Sequence, residues 1–326
     1  MNKKSKKSLT KPRRQNATTA AVPKVQKILV TTDFSHESRS GVRYAVALAN
    51  QLRATVALLH VIEPPPRLSV VESVVLVREE SEVIKLAREE LATLAKHASQ
   101  GSVAITYSVR TGKPFHEITT AANKDAADLI VIATHGYTGV KRALLGSTAE
   151  QVVRHASCPV LTVPIRTMAG QMGKIPALKI RKILVPMDFS DLSKDAMPWA
   201  IFLARHLKAE VVLLHVVEKF PIDFLMGREM SSHTLVPLIR QAEVDLKRAA
   251  ADLAKSIGIK FSAVVREGRP YEEICAAAKL LTAGMIVLTT HGYTGLKHVW
   301  LGSTAERVVR HAACPVLVVR SKASLT

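Results

Sequence analysis

Aromatic residues make up only 4% of this 326-residue chain, cysteine occurs three times, and no run of eighteen apolar residues is present. With so few rings, the core must be aliphatic, as in a buried parallel sheet with helices on both faces. No aromatic stacking platform for single-stranded nucleic acid is on offer either. Cys158, Cys275 and Cys314 are odd in number and lack CxxC spacing, which argues against a disulfide framework or a zinc site and predicts small, buried thiols. The lack of an eighteen-residue apolar run argues against a membrane span. The first residues lack the apolar stretch of a secretory signal, so the expected compartment is a reducing cytoplasm. Sharper chemical motifs are also missing. There is no GxxxxGK[ST], no GxGxxG after the first predicted strand, no GxSxG and no HExxH. No complete catalytic constellation stands out, and no catalytic residue or dedicated metal-ligand cluster is predicted.

Acidic residues are outnumbered, giving a net charge of +19. Part of the excess is local: Lys3, Lys4, Lys6, Lys7, Lys11, Arg13, Arg14 and Lys24 all precede the first acid, Asp33. Residues 1–24 are therefore expected to form a disordered basic tail. Such a tail suits contact with a polyanion. A solubilising tail, or a misplaced start codon, explains the same composition.

What the chain does have is a repeat. Residues 134–163 and 290–319 are identical at 23 of 30 positions, at a constant offset of 156. Repetition this long means two copies of one domain. Residues 25–165 and 179–320 form the expected domains, 166–178 the linker and 321–326 a short tail. In the first copy, strands are expected at 27–32, 55–61, 103–109, 129–133 and 159–163. Helices are expected at 41–52, 77–98, 114–123 and 147–155. The second copy repeats this order, with strands at 182–187, 211–216, 260–266, 285–289 and 315–319 and helices near 192–207, 234–256, 270–281 and 303–312. Strands alternating with helices predict α/β domains with mostly parallel sheets.

Open α/β sheets bind ligands beyond the carboxyl ends of their strands. Three features fall there in each copy. Asp33, matched by Asp188, follows strand one and suits a ribose hydroxyl or an adenine amino group, although a turn or helix-cap aspartate reads the same way. His60-Val61, matched by His215-Val216, ends strand two, where a histidine is more often a satisfied structural residue than a base. The loop His135-Gly136 to Gly146-Ser147-Thr148, matched by His291-Gly292 to Gly302-Ser303-Thr304, runs into a helix N-terminus. Free amides and the helix dipole make such a terminus an anion site. Ser147 with Glu150, or Ser303 with Glu306, also has the spacing of a capping box.

These residues resemble the universal stress protein family in its tandem two-domain form. The resemblance rests on KILVTTDFS and KILVPMDFS at the domain starts, LLHV closing strand two, and the THGYTG…LGSTAE…RHA.CPVL block. It covers residues 25–165 and 179–320. It implies a five-stranded parallel, Rossmann-like fold of the adenine nucleotide alpha hydrolase-like type. It also implies ATP as ligand, alone or with Mg2+. The implied binding residues are Thr32, Asp33, Val61, Ala133, Gly136, Gly146, Ser147 and Thr148 in copy one. In copy two they are Asp188, Val216, Gly292, Gly302, Ser303 and Thr304. The family pattern G-x2-G-x9-G-(S/T) lacks its first glycine here: Ala133 in copy one and Thr289 in copy two. Thr289 is the bulkier departure, so copy one is the site expected to fill first. The resemblance further implies pairing of the two domains within the chain through strand five, and leaves homodimerisation open. A nucleotide-responsive stress or signalling module is the favoured expectation. The alternatives are a nucleotide-independent interaction protein using its basic arm, and a slow ATPase.

Overall fold

A computed structural model describes residues 23–64, 72–99, 103–134, 145–164, 167, 178–190, 195–218, 232–290 and 302–320. Residues 1–22 of the expected basic tail, the expected tail 321–326, nearly all of the expected linker, and the loop residues His135, Gly136, His291 and Gly292 lie outside the described residues.

The first half runs β1 (Lys27–Thr31), α1 (His36–Leu52), β2 (Thr55–Ile62), α2 (Glu72–Ser99), β3 (Ile105–Thr111), α3 (Pro114–Lys124), β4 (Leu129–Ala133), α4 (Ser147–His155) and β5 (Val160–Val163). The second half runs β6 (Lys182–Pro186), α5 (Ala196–Leu207), β7 (Glu210–Val217), α6 (Ser232–Ile257), β8 (Phe261–Glu267), α7 (Pro270–Leu280), β9 (Met285–Thr289), α8 (Ser303–His311) and β10 (Val316–Val319). The expected α/β fold, built of two copies with parallel strands, is present.

The strands form one ten-stranded sheet in the order β3-β2-β1-β4-β5-β10-β9-β6-β7-β8. Every pairing is parallel except β5 with β10, where Val160, Leu161 and Thr162 face Val318, Leu317 and Val316. Thr162 Oγ1 adds a bond to the Val316 carbonyl across that seam, at 3.2 Å. Each central strand is aliphatic and buried on both faces; Leu129–Ala133 and Met285–Thr289 are buried at every position. Alternate side chains serve two cores. Ile28, Val30, Val131 and Leu161 pack with α1 and Leu91 of α2. Leu29, Leu59, Ile130 and Val160 pack with α3 and α4.

Of the boundaries that differ from expectation, two have plain local reasons. Helix α1 starts at His36, because Ser35 caps it by accepting the Ser38 N–H at 3.1 Å. Strand β3 lies two residues later than expected, carried on by its pairing with β2 as far as Ile62↔Thr111. That extension places Arg110 and Gly112 at the carboxyl end of the sheet.

Candidate functional site

The carboxyl end of each half is organised by its strand register. Thr31 pairs with Leu59 and Leu59 with Ser108; two residues on, Val61 pairs directly with Arg110. Continuing the same register puts Asp33 in the row of Val61 and Arg110, and the pairing of Val30 with Val131 puts Thr134 in it as well. The second half repeats the row with Asp188, Val216, Arg266 and Thr290. The expected residues around strands one, two and four are thus brought together. β1 and β4 are neighbours, although β2 and β3 separate them in sequence.

The turn after β1 is held from several sides. Ser35 donates from both its backbone N–H and its hydroxyl to Asp33 Oδ1, at 3.1 and 2.6 Å. Thr32 is buried, its N–H bonds Leu59 O at 2.9 Å, and its Oγ1 accepts the Phe34 N–H at 3.0 Å. Phe34 has a φ of 64°, which a bulky side chain rarely adopts. Its ring rests on the His60 ring, with centroids 4.4 Å apart. His60 Nδ1 lies 2.8 Å from the Thr32 carbonyl. A carbonyl only accepts, so Nδ1 carries the proton. Copy two repeats the arrangement: Ser190 binds Asp188 Oδ1 at 3.0 and 2.6 Å, His215 Nδ1 meets Met187 O at 2.8 Å, and Phe189 has a φ of 60°. The strand-two histidine is therefore a structural prop for the aspartate turn. The aspartate is exposed at Asp33 and half-buried at Asp188.

The glycine–serine turn is anchored at its base. Gly146 N–H donates to Thr134 O at 2.7 Å, and Gly302 N–H to Thr290 O at 2.7 Å. Each glycine is the N-cap of its helix, with no side-chain cap bond, so Ser147 and Ser303 stand at the first helical position. This corrects the capping-box expectation. Glu150 turns along its own helix to Arg154 at 2.8 Å, and Glu306 to Arg310 at 3.0 Å. Ser147 and Ser303 are exposed, Thr148 and Thr304 half-buried. The first-turn amides of such a helix have no intrahelical acceptor and face the carboxyl end of the sheet.

Ala133 and Thr289 hold the place of the family's first glycine and are buried, with 8% and 9% of their surface exposed. A methyl group added to Gly41 would lie 3.6 Å from the Ala133 Cβ, so this position packs towards α1. Val61 and Val216 are half-buried against the α3–α4 and α7–α8 cores.

Outside the residues expected to form the site, the segment Arg110-x-Gly-x-Pro-x-x-Glu117 is repeated as Arg266-x-Gly-x-Pro-x-x-Glu273 at the same offset of 156. In the fold, Arg110 Nη1 meets Glu117 Oε2 at 3.5 Å, and Arg266 Nε meets Glu273 Oε2 at 2.8 Å. Gly112 and Gly268 sit at φ of 150° and 148°, where a Cβ would come within 3.0 and 2.9 Å of the glutamate Cγ. Glycine there admits the glutamate. The signal was the repeat itself, extended beyond its most similar block.

The three thiols are half-buried, and burial pushes Cys158 and Cys314 up to about 12 and Cys275 to about 11. Among the described residues there is no group of three or more His, Cys, Asp or Glu suited to a metal ion, and no helix is long and apolar enough to cross a membrane.

Comparison with known proteins gives one consistent result. The model of the universal stress protein family matches residues 24–164 and 179–320. A universal stress protein of Methanocaldococcus jannaschii is 37% identical over 140 residues, covering 43% of this chain and 82% of its own length. A universal stress protein of Mycolicibacterium smegmatis is 26% identical over 299 residues, covering 90% of this chain and 97% of its own. The crystal structure of a universal stress protein from Archaeoglobus fulgidus superposes with a TM-score of 0.65 at 21% identity, covering 91% of this chain and 97% of that one, a likeness of fold.

Proposed function

The chain belongs to the universal stress protein family, with two family domains in tandem, and on that footing we propose that it is an adenine-nucleotide-binding module of stress or signalling responses. ATP, alone or with Mg2+, is the proposed ligand. The observation that carries this reading is the recurrence, in both copies, of a glycine–serine helix start anchored to the threonine that shares a row with the strand-one aspartate. An anion at the helix amides and a carboxylate acceptor across the switch point together fit a nucleoside phosphate. Gly146, Ser147 and Thr148 hold phosphate in this proposal, and Asp33 and Val61 take the nucleoside; Gly302, Ser303, Thr304, Asp188 and Val216 do the same in copy two. Gly136 and Gly292 belong to the proposed loops by resemblance. No residue is assigned a catalytic role.

Copy one is proposed to fill first. In copy one Ala133 packs towards Gly41, whereas the matching positions of copy two are Thr289 and Ala196, the bulkier pair. The paired β5 and β10 are proposed to join the two nucleotide domains as one unit. The basic residues 1–24 are proposed as a polyanion-contacting arm.

The nucleotide content of freshly purified, denatured protein tests the reading, beside the same measurement on Gly146→Asp. We expect ATP or ADP near one or two per chain, with the copy-one share lost in the variant. Gly146 has a φ of −57°, open to any residue, and aspartate is a good N-cap, so the variant should fold while repelling phosphate. An empty wild-type protein that also takes up no added ATP with magnesium would overturn the proposal.

A further inference from the structure

An interface between two identical copies makes every contact twice, once in each direction. The seam between the two halves has the frame of such an interface. Leu161 faces Leu317 in the β5–β10 pairing, and the two are repeat equivalents, so the pseudo-two-fold axis passes between them. The polar contacts around that axis are not doubled. Thr162 Oγ1 donates to the Val316 carbonyl at 3.2 Å, but its equivalent in copy two is Val318, which has no hydroxyl. Gln51 Nε2 of α1 donates to the carbonyl of Leu178, just ahead of copy two, at 3.0 Å; its equivalent on α5 is Leu207, which has no donor. In the other direction, Arg320 Nη1 donates to the Ala156 carbonyl at 3.1 Å, and its equivalent is Pro164.

Bulk is divided as unevenly where α1 and α5 meet. One hydrophobic core runs beneath both helices and includes Leu161 and Leu317. From α1 this core takes Tyr44, which is 1% exposed; the equivalent from α5 is Ala200, at 0%. One turn earlier, Ser40 is matched by Ala196, and both are fully buried. Burial first, and the Cys314 thiol of copy two second, push the Tyr44 hydroxyl above its ordinary range, so the end of the ring lies towards the seam. Among the described residues, neither the Tyr44 hydroxyl nor Ser40 Oγ has a hydrogen-bond partner. A buried hydroxyl without a partner is a cost, so what Tyr44 contributes here is volume. Copy one paired with itself would bring two such rings to the axis. Copy two paired with itself would bring none. The first is overpacked and the second leaves a void, and both are unfavourable. Each like pair also forfeits donors: a copy-one pair has no Arg320, and a copy-two pair has neither Gln51 nor Thr162.

We propose that the seam is heterotypic: the pairing face of copy one takes copy two and rejects a second copy one, with Tyr44 and Ala200 as the residues that select. Specificity of this kind is a difference between two pairings, and here the unlike pair gains contacts while the like pairs acquire clashes or voids. The chain therefore closes on itself through β5 and β10. Two chains that meet through this face do so by exchanging unlike copies, never by pairing like ones.

Cysteine trapping on the axis of the full chain tests this. Leu161→Cys alone reports a copy-one pair, because only a second Leu161 can face that position there. Leu161→Cys with Leu317→Cys reports the proposed pairing. Facing residues of antiparallel strands have Cα atoms about 4.5–5.5 Å apart, within disulfide reach. Both proteins are oxidised by air with copper–phenanthroline, and linked peptides are identified by mass spectrometry. The single variant is expected to stay unlinked at position 161. The double variant is expected to join 161 to 317. A 161–161 link between chains, in either protein, overturns the proposal, and so does a double variant that forms no 161–317 link. Denaturant unfolding of Tyr44→Ala, Ala200→Tyr and the exchange of both keeps the test open if the trapped positions do not tolerate cysteine. Each single change should lower the unfolding equilibrium constant by about tenfold or more, through a void or a surplus ring. The exchange should recover most of that loss, since one ring again meets one alanine. Losses that simply add in the exchanged protein overturn the pair as the selector.

Discussion

Arg154 of α4 reaches across the antiparallel seam to Glu306 of α8, Nη2 to Oε2 at 3.2 Å, while holding Glu150 of its own helix at 2.8 Å. Glu306 in turn accepts from Arg310 at 3.0 Å. The two helices that begin with the glycine–serine turns are therefore joined by a chain of four alternating charges. The side chains are only about a quarter to a third exposed. Arg154→Met should cost about 1 kcal/mol of unfolding free energy, the usual worth of a hydrogen bond to a charged group with partial solvent access. Glu306→Gln should cost less in that background than in the wild type. A denaturant double-mutant cycle reads the coupling; strictly additive losses would show that the bridge contributes nothing.

His60 holds up the aspartate turn through its Nδ1–H, bonded to the Thr32 carbonyl, and through its ring against Phe34. Phe34 sits at a positive φ that something must stabilise. His60→Leu keeps the apolar contact but removes the donor. The expected loss is about 1 kcal/mol in stability, together with weaker nucleotide uptake in copy one. His215→Leu should behave alike in copy two. Were His60 a proton-transfer group, the variant would keep its stability and lose only a turnover; equal unfolding curves for variant and wild type would refute the structural role.

Much of this was readable in the residues. Aliphatic runs such as LIVIA and MIVLT fix β4 and β9 to the residue, because nothing polar interrupts them. The register that gathers Asp33, Val61, Arg110 and Thr134 was not readable. It depends on long-range pairing of strands whose order, β3-β2-β1-β4-β5, differs from chain order. The capping box misled for a local reason. Gly146 takes the cap position itself, and Arg154 one turn on offers Glu150 a charged partner better than a backbone amide. The Arg110–Glu117 pair went unseen because its members lie either side of a strand–helix turn, where spacing alone gives no geometry.

The two copies solve the same junction differently at one place. In copy one, Asp128 Oδ2 accepts the N–H groups of Gln26 and Lys27, at 2.7 and 2.9 Å, and so clamps the start of β1. The matching residue in copy two is Gly284, and a Cβ there would come 3.1 Å from Cα, Cγ1 and Cγ2 of Ile180. Asp128→Ala should cost about 1–2 kcal/mol through two lost backbone bonds. Gly284→Ala should cost a similar amount by overpacking, since backbone is part of the obstacle. Thermal melts of both variants check this. A neutral Gly284→Ala would mean that Ile180 yields freely.

The cysteines make a prediction that needs no ligand. Burial pushes the thiols of Cys158 and Cys314 up to about 12 and that of Cys275 to about 11, against an ordinary value of 9.0. The thiolate is the reactive form. At pH 8, alkylation of Cys158 and Cys314 by iodoacetamide should therefore run about a thousandfold slower than that of a free thiol, and Cys275 about a hundredfold slower. Cys275 should label first. For each thiol the rate should keep rising about tenfold per pH unit beyond pH 9, where an exposed cysteine has levelled off. The sign for stability follows. Below pH 9 the thiols are protonated in both states and cost nothing; between 9 and their raised values the unfolded thiols ionise and the folded ones do not, so the fold weakens as pH rises. Mass spectrometry of adducts at each cysteine, across pH 7 to 10 and with urea as the unfolded reference, measures both. If Cys158 labels in the folded protein at its rate in urea, the half-buried placement before β5 is wrong.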